Sequence, residues 1–269
     1  MLRLSLITSL SLLLGAEALA ISPETTDARE IMAAVENRDI GDRATSRLSI
    51  TITDKAGRER TRGVQSRSME FEAGRKQLML FESPADVRNA GLFSVDYDDG
   101  AKADDQWLYL PSLGKTTRIS SADKSGSFMG TDLTYSDMTK RDPDVYDYTL
   151  VEASTQVGGE DCWLIESRPK TDKEKSETGY LKTHVWISKA KLIPIQVKAW
   201  VAEGKRLKYT QFKDVREVDG IWVAQQILVR TVRNGEPESS SALVFTEMKF
   251  NDESVVVDDF SERRLEQGL

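Results

Sequence analysis

The sequence predicts a mainly β (α+β) fold, antiparallel, of about ten or eleven strands with few helices. Three observations carry this. Leu48, Ile50 and Ile52 alternate with Ser49, Thr51 and Thr53, giving a strand with one apolar face. Five extended segments rich in Val, Ile, Trp and Phe follow one another at 184–188, 193–201, 205–215, 221–232 and 241–250. The last four are separated by Glu203-Gly204, Asp219-Gly220 and Asn234-Gly235, and such pairs supply the positive φ angles that tight hairpins need. Only the stretch after Asp27 has a clear helical period. Ala28, Ile31, Met32 and Val35 share one face there, and Asp27 with Glu30 forms a variant of the capping box.

Other elements fall between these. Met1-Leu2-Arg3, the apolar stretch 4–14 and Ala18-Leu19-Ala20 read as a secretory signal peptide cleaved after Ala20. The apolar stretch is too short to span a bilayer, which needs about 20 apolar residues. The expected product is an exported, soluble periplasmic protein in which residues 21–269 form a single domain. Lys55-Ala56-Gly57 reads as a turn, and further strands are expected at 62–72, 76–82, 91–96, 106–110, 116–120 and 162–167.

Several strands are apolar on both faces, among them Trp107-Leu108-Tyr109-Leu110, Cys162-Trp163-Leu164-Ile165 and Ile221-Trp222-Val223. A sheet with water on one face alternates more cleanly. Three architectures satisfy this: a sandwich, a sheet covered by the N-terminal helix, or a strongly curved sheet around an apolar interior.

Composition excludes much chemistry. The 37 basic and 44 acidic side chains give a net charge of −7, which argues against nucleic acid as a partner. One Cys and one His among 269 residues leave no intramolecular disulfide and no multi-histidine metal site. Gly114-Lys115-Thr116-Thr117 lacks the first glycine of a phosphate loop, because Tyr109 stands there. Asp96, Asp98 and Asp99 misplace the glycine of a calcium loop, and Trp107 occupies its twelfth position. His184 lies in an apolar strand, as does Cys162, so a structural imidazole and an inert buried thiol are expected. No enzyme, cofactor or metal is predicted.

The most specific sequence lies in the middle. A strand ending Phe81-Glu82-Ser83-Pro84 leads to Trp107-Leu108-Tyr109-Leu110-Pro111 and past Lys115 and Arg118. It continues to Phe128-Met129-Gly130-Thr131-Asp132-Leu133-Thr134-Tyr135-Ser136-Asp137. This order resembles the bacterial outer-membrane lipoprotein-sorting proteins of the LolA-like superfamily, in the branch associated with RND-type exporters. Trp186, Ser188-Lys189, Pro194-Ile195, Asp219-Gly220-Ile221-Trp222 and Phe260-Ser261-Glu262-Arg263-Arg264-Leu265 extend the resemblance over nearly all of residues 21–269. It implies a strongly curved antiparallel half-barrel, LolA/LolB-like, whose helices close the mouth of a cavity for acyl chains. The segment 121–146 is a long insertion relative to the lipoprotein carrier itself.

The function so implied is a periplasmic carrier of a lipid, lipoprotein or other hydrophobic envelope molecule, passed between membrane partners. An RND-type inner-membrane transporter is the implied partner, with transient membrane contact. The alternative is a non-transporting sensor or adaptor that binds a protein. Trp107, Tyr109, Trp163, Trp186 and Trp200 are the candidates for lining the cavity, against ordinary core packing. Phe128, Met129, Gly130, Leu133 and Tyr135 are the candidates for a gate or partner contact, against a fixed plug. Their segment has neither period 2 nor 3.6, yet holds too much apolar surface to float in water.

Overall fold

The computed structural model describes residues 21–268, and the expected signal peptide lies outside the described residues. Thirteen strands form one antiparallel sheet, more than the ten or eleven expected. The first six are β1 (Arg43–Thr53), β2 (Glu59–Phe71), β3 (Gly74–Ser83), β4 (Gly91–Tyr97), β5 (Asp105–Leu110) and β6 (Lys115–Arg118). After an irregular segment come β7 (Tyr146–Val157), β8 (Glu160–Pro169), β9 (Tyr180–Ser188), β10 (Pro194–Val201), β11 (Arg206–Val218), β12 (Ile221–Arg233) and β13 (Glu236–Phe250). The spatial order is β6-β5-β4-β3-β2-β1-β13-β12-β11-β10-β9-β8-β7. Each half is a meander, and β1 pairing with β13 welds the two. The sheet is open and curved.

Hairpin chemistry sets this register. Asp219 and Gly220 have φ of 51° and 83°, and Asn234 and Gly235 have 52° and 87°. Two successive left-handed residues are the signature of the turn whose twist suits a hairpin. Between β10 and β11 the pair with positive φ is Gly204-Lys205, one residue later than the dipeptide Glu203-Gly204 suggests.

Among the described residues, three α-helices cover different parts of the sheet. The first, α1 (Ala28–Glu36), starts at Asp27, whose carboxylate accepts from the backbone N–H groups of Arg29 and Glu30. Its Ala28, Ile31 and Met32 are buried on Trp163, Ile165, Val185 and Ile187, so α1 roofs the β8–β9 end of the concave face. The short α2 (Asp172–Thr178) links β8 to β9. At the other end of the sheet, α3 (Glu262–Gln267) lies on the convex face, where Leu265, Phe260 and Val255 pack on Leu78, Leu80, Phe93 and Val95. The alternate residues of β3 and β4, Met79, Phe81 and Leu92, belong to a separate core on the concave face. Strands apolar on both sides are thus explained by covering on both sides. Helices were expected at the mouth of a cavity; α3 instead seals the back of the sheet.

One buried acid makes this part of the fold sensitive to pH. Asp96 on β4 is buried, and its cross-strand neighbour Arg75 directs its guanidinium to Ser68 and the Gly41 carbonyl instead. Burial, with Asp104 close by, pushes the Asp96 carboxyl up to about 7. Above its unfolded pKa near 3.9 the unfolded chain has lost this proton while the folded chain keeps it, so stability falls as pH rises towards 7. The slope is about 1.4 kcal/mol per pH unit within that window. Asp96→Asn is expected to flatten the decline between pH 4 and 7 and to be the more stable protein at neutral pH. Denaturant unfolding of both proteins across this range checks it; parallel curves would refute the assignment.

Candidate functional site

Between α1 and the irregular segment, the concave face is left uncovered and forms a cavity of about 350 Å³. Its floor comes from both halves of the sheet. Leu48 on β1 and Met79 on β3 contribute from one half, with Ser46, Ser66 and Gln77 beside them. From the other half, Phe212, Ile227, Val229, Leu243 and Phe245 project from β11, β12 and β13. Val197 and Ala199 of β10 continue the wall towards α1. A smaller cleft beneath Met32 and Val35 adjoins it and shares Arg141, Val197 and Phe212. Aliphatic side chains make up the largest share of the wall, with Phe212 and Phe245 set among them and small polar residues such as Ser46, Ser66, Thr183 and Thr210 between.

The roof is the segment between β6 and β7. It makes four short 3-10 turns, Ser121–Asp123, Phe128–Gly130, Ser136–Met138 and Pro143–Val145, which agrees with its lack of a regular period. Three of its ties to the sheet run to β5, β2 and the β12–β13 pair. Tyr135 accepts a hydrogen bond at its carbonyl from Gln106 Nε2 of β5 at 2.9 Å. The Met129 carbonyl accepts from the Arg62 guanidinium of β2. Asp132, buried, accepts at its carboxylate from Ser241 at 2.7 Å, Ser239 at 2.5 Å and Thr231.

The candidates of this segment separate into two groups. Phe128 is buried in the concave core, 6.0 Å from the Phe81 ring and 5.8 Å from the Tyr135 ring between centroids. Met129 and Gly130 make the bend above it, with φ of 51° and 78°. Leu133 lines the cavity, together with Met138, which sequence reasoning did not single out.

None of the five aromatic candidates is among the residues lining the cavity. Trp107 stacks on Phe93 at 5.2 Å on the convex face, and Tyr109 joins the same cluster beneath α3. Trp163 lies on the concave face but is fully covered by α1. Trp186 packs near Cys162, Ile193 and Ile195 on the convex face. Trp200 meets the His184 ring at 4.8 Å, with Lys182 and Lys198 over its faces. Large rings fill space rather than leave it, and these pack on the convex face or, for Trp163, beneath α1.

A polar pole interrupts the apolar wall. The Lys208 ammonium of β11 donates to Tyr180 Oη at 3.1 Å, and the Tyr180 hydroxyl donates to Asp137 Oδ2 at 2.7 Å. Asp137 also accepts from the Thr134 backbone N–H at 2.9 Å and lies 3.6 Å from the Arg141 guanidinium. Burial, and then the neighbouring Asp137, hold the Tyr180 hydroxyl well above its ordinary pKa, so it stays protonated. Burial lowers the pKa of Lys208. Neither His184 nor Cys162 belongs to this site. His184 Nε2 is 2.9 Å from Glu166 on the convex face, and burial pushes the Cys162 thiol up to about 11.

Known proteins with this architecture are similar over most of the chain. Residues 73–267 match the model of a protein family described as "uncharacterized protein". A protein domain of Vibrio parahaemolyticus named for outer membrane lipoprotein sorting is 27% identical, with a TM-score of 0.78 over 89% of this chain and 98% of its own. A DUF1329 family protein of Desulfovibrio piger is also 27% identical, with a TM-score of 0.78 over 88% and 97%. A LolA superfamily protein of Nitrosomonas europaea shares the fold at 18% identity, with a TM-score of 0.64 over 87% and 97%. No curated protein matches the sequence.

Proposed function

The chain belongs to the DUF1329 family, and from that premise we propose that it is a periplasmic carrier of a hydrophobic envelope molecule. The observation that carries this reading is the apolar cavity on the concave face of the sheet. A lipid moving through water exposes its chains at a cost of roughly 0.8 kcal/mol per methylene. Leu48, Met79, Ile227, Val229 and Leu243 offer those chains an apolar wall, while the roof and α1 shield them from solvent. Binding and release then need only a competing acceptor, without bond chemistry.

Similarity to a protein named for lipoprotein sorting supports the compartment and the class of cargo. The expected signal peptide, cleaved after Ala20, accords with the same compartment. An RND-type transporter as donor or acceptor is part of the proposal and rests on the resemblance alone. In this reading Phe128 anchors the roof while Leu133 and Met138 touch the cargo. Native mass spectrometry of protein purified under mild conditions from periplasmic extract tests it. The expected result is a bound lipid-sized adduct released on denaturation. An adduct-free protein that instead holds a stable protein partner would replace the carrier with the adaptor.

A further inference from the structure

Three charged side chains line the cavity: Asp137, Arg141 and Lys208. Their charges do not cancel among themselves. Asp137 already takes the Tyr180 hydroxyl and the Thr134 N–H, and Arg141 lies 3.6 Å away. Lys208 has no such arrangement. Its hydrogen bond goes to the neutral Tyr180 oxygen, and among the described residues no carboxylate lies within 4.0 Å of its ammonium. Because the Tyr180 proton points to Asp137, the oxygen is an acceptor for Lys208, and the remaining ammonium hydrogens have the cavity before them. Thr183 and Thr210 add hydroxyls to the same stretch of wall.

A half-buried cation facing apolar space is costly unless an anion joins it. The carboxylates that reach Lys208 through space, Asp137 and Asp132, are occupied by other donors, and Arg206 opposes them. Glu36 lies in the adjoining cleft beside Arg141. We propose that the cavity selects a single-chain amphiphile whose head is an anionic oxygen group, a carboxylate or a phosphate monoester. The head sits at Lys208, and the chain runs along Val229, Leu243 and Leu48. A volume of about 350 Å³ is at the low end of ligand pockets, which suits one chain rather than several. The inference rests on the carrier reading and adds the chemical class of its cargo.

Four probes with one chain in common decide it: palmitate, hexadecyl phosphate, hexadecan-1-ol and hexadecyltrimethylammonium. Each is titrated calorimetrically into the full chain lacking its signal peptide, freed of co-purified lipid. At least one anionic probe is expected to bind about tenfold or more tightly than the alcohol, with the cationic probe weakest. Palmitate ahead of the phosphate identifies a fatty-acid-like cargo, and the reverse order a phosphate-headed one. Lys208→Met is expected to collapse the anion-to-alcohol ratio to within about threefold, and Lys208→Arg to keep most of it. Thermal melts of both variants check that they fold. Alcohol binding as tight as the anions, or a ratio that survives Lys208→Met, overturns the head-group assignment and leaves the carrier standing. Failure of all four probes to bind overturns the single-chain anionic cargo, and the carrier reading is then decided separately by the native mass spectrum.

Discussion

Replacing Phe128 by Ala is expected to destabilise the protein by about 3–5 kcal/mol, the usual cost of deleting a fully buried phenyl ring. The ring is 1% exposed and sits among Ile50, Ile52, Val64, Phe81 and Leu92, which come from four strands. No partial collapse of one loop can fill a hole bounded by a sheet. Met129→Ala, one residue on, should cost much less because Met129 is only half-buried. The contrast tests how the roof works. If cargo entry required this segment to lift as a unit, Phe128 would have to leave its site at a similar cost. An open state of that kind would hold roughly one molecule in a hundred to one in several thousand. Urea unfolding of the two variants, alongside lipid retention, distinguishes the cases. A loss below about 1 kcal/mol for Phe128→Ala, with lipid retention impaired, would make Phe128 part of a moving gate. A loss near the expected value makes it a fixed anchor, and any movement then belongs to 133–141, beside the cavity.

How far the fold could be read in advance differs from element to element, for physical reasons. The capped helix after Asp27 and the alternation of β1 are local signals, and both stand in the structure. The hairpin dipeptides Asp219-Gly220 and Asn234-Gly235 are equally local, because they answer to φ alone. Strand β7 escaped notice. It is an edge strand whose apolar alternation is confined to Tyr146, Tyr148 and Leu150; beyond these it is exposed, with register irregularities around Glu152, so the pattern is too short to stand out. Edge strands are often polar for protection against unwanted pairing.

The cavity was the least legible feature. Aromatic weight pointed to Trp107, Tyr109, Trp163, Trp186 and Trp200, whereas the wall is built mainly from Leu, Val, Ile, Met and small polar residues. Empty space is a property of curvature and covering, and neither is written in one strand. A usable trace did exist at the polar pole. Lys208, Thr210 and Phe212 share a face of β11, and their register partners Thr231, Val229 and Ile227 face the same side from β12. A lysine on the apolar face of a central strand breaks the binary pattern, and such breaks concentrate at functional sites.

Asp132→Ala is expected to cost on the order of 3 kcal/mol, through hydrogen bonds rather than apolar area. Its carboxylate gathers hydroxyls from two adjacent strands, Thr231 of β12 with Ser239 and Ser241 of β13. Its backbone N–H also donates to Ser241 Oγ at 2.9 Å, so one serine closes a two-bond ring with the roof. Hydrogen bonds to a charged group are worth about 1.5–3 kcal/mol each, and three hydroxyls would lose their common acceptor. Removing the carboxylate also removes its desolvation penalty, which keeps the total below a simple sum. Asp132→Asn keeps the shape and one acceptor oxygen, so it should fall between the parent and the alanine variant. A double-mutant cycle of Asp132→Ala with Ser241→Ala is the direct measurement, and the coupling should exceed about 1 kcal/mol. Coupling near zero would mean that the Asp132–Ser241 pair adds little and that Phe128 and the remaining hydrogen bonds hold the roof. With both ties present, the roof is pinned across the sheet from β4, beneath Phe128, to β12, beneath Asp132.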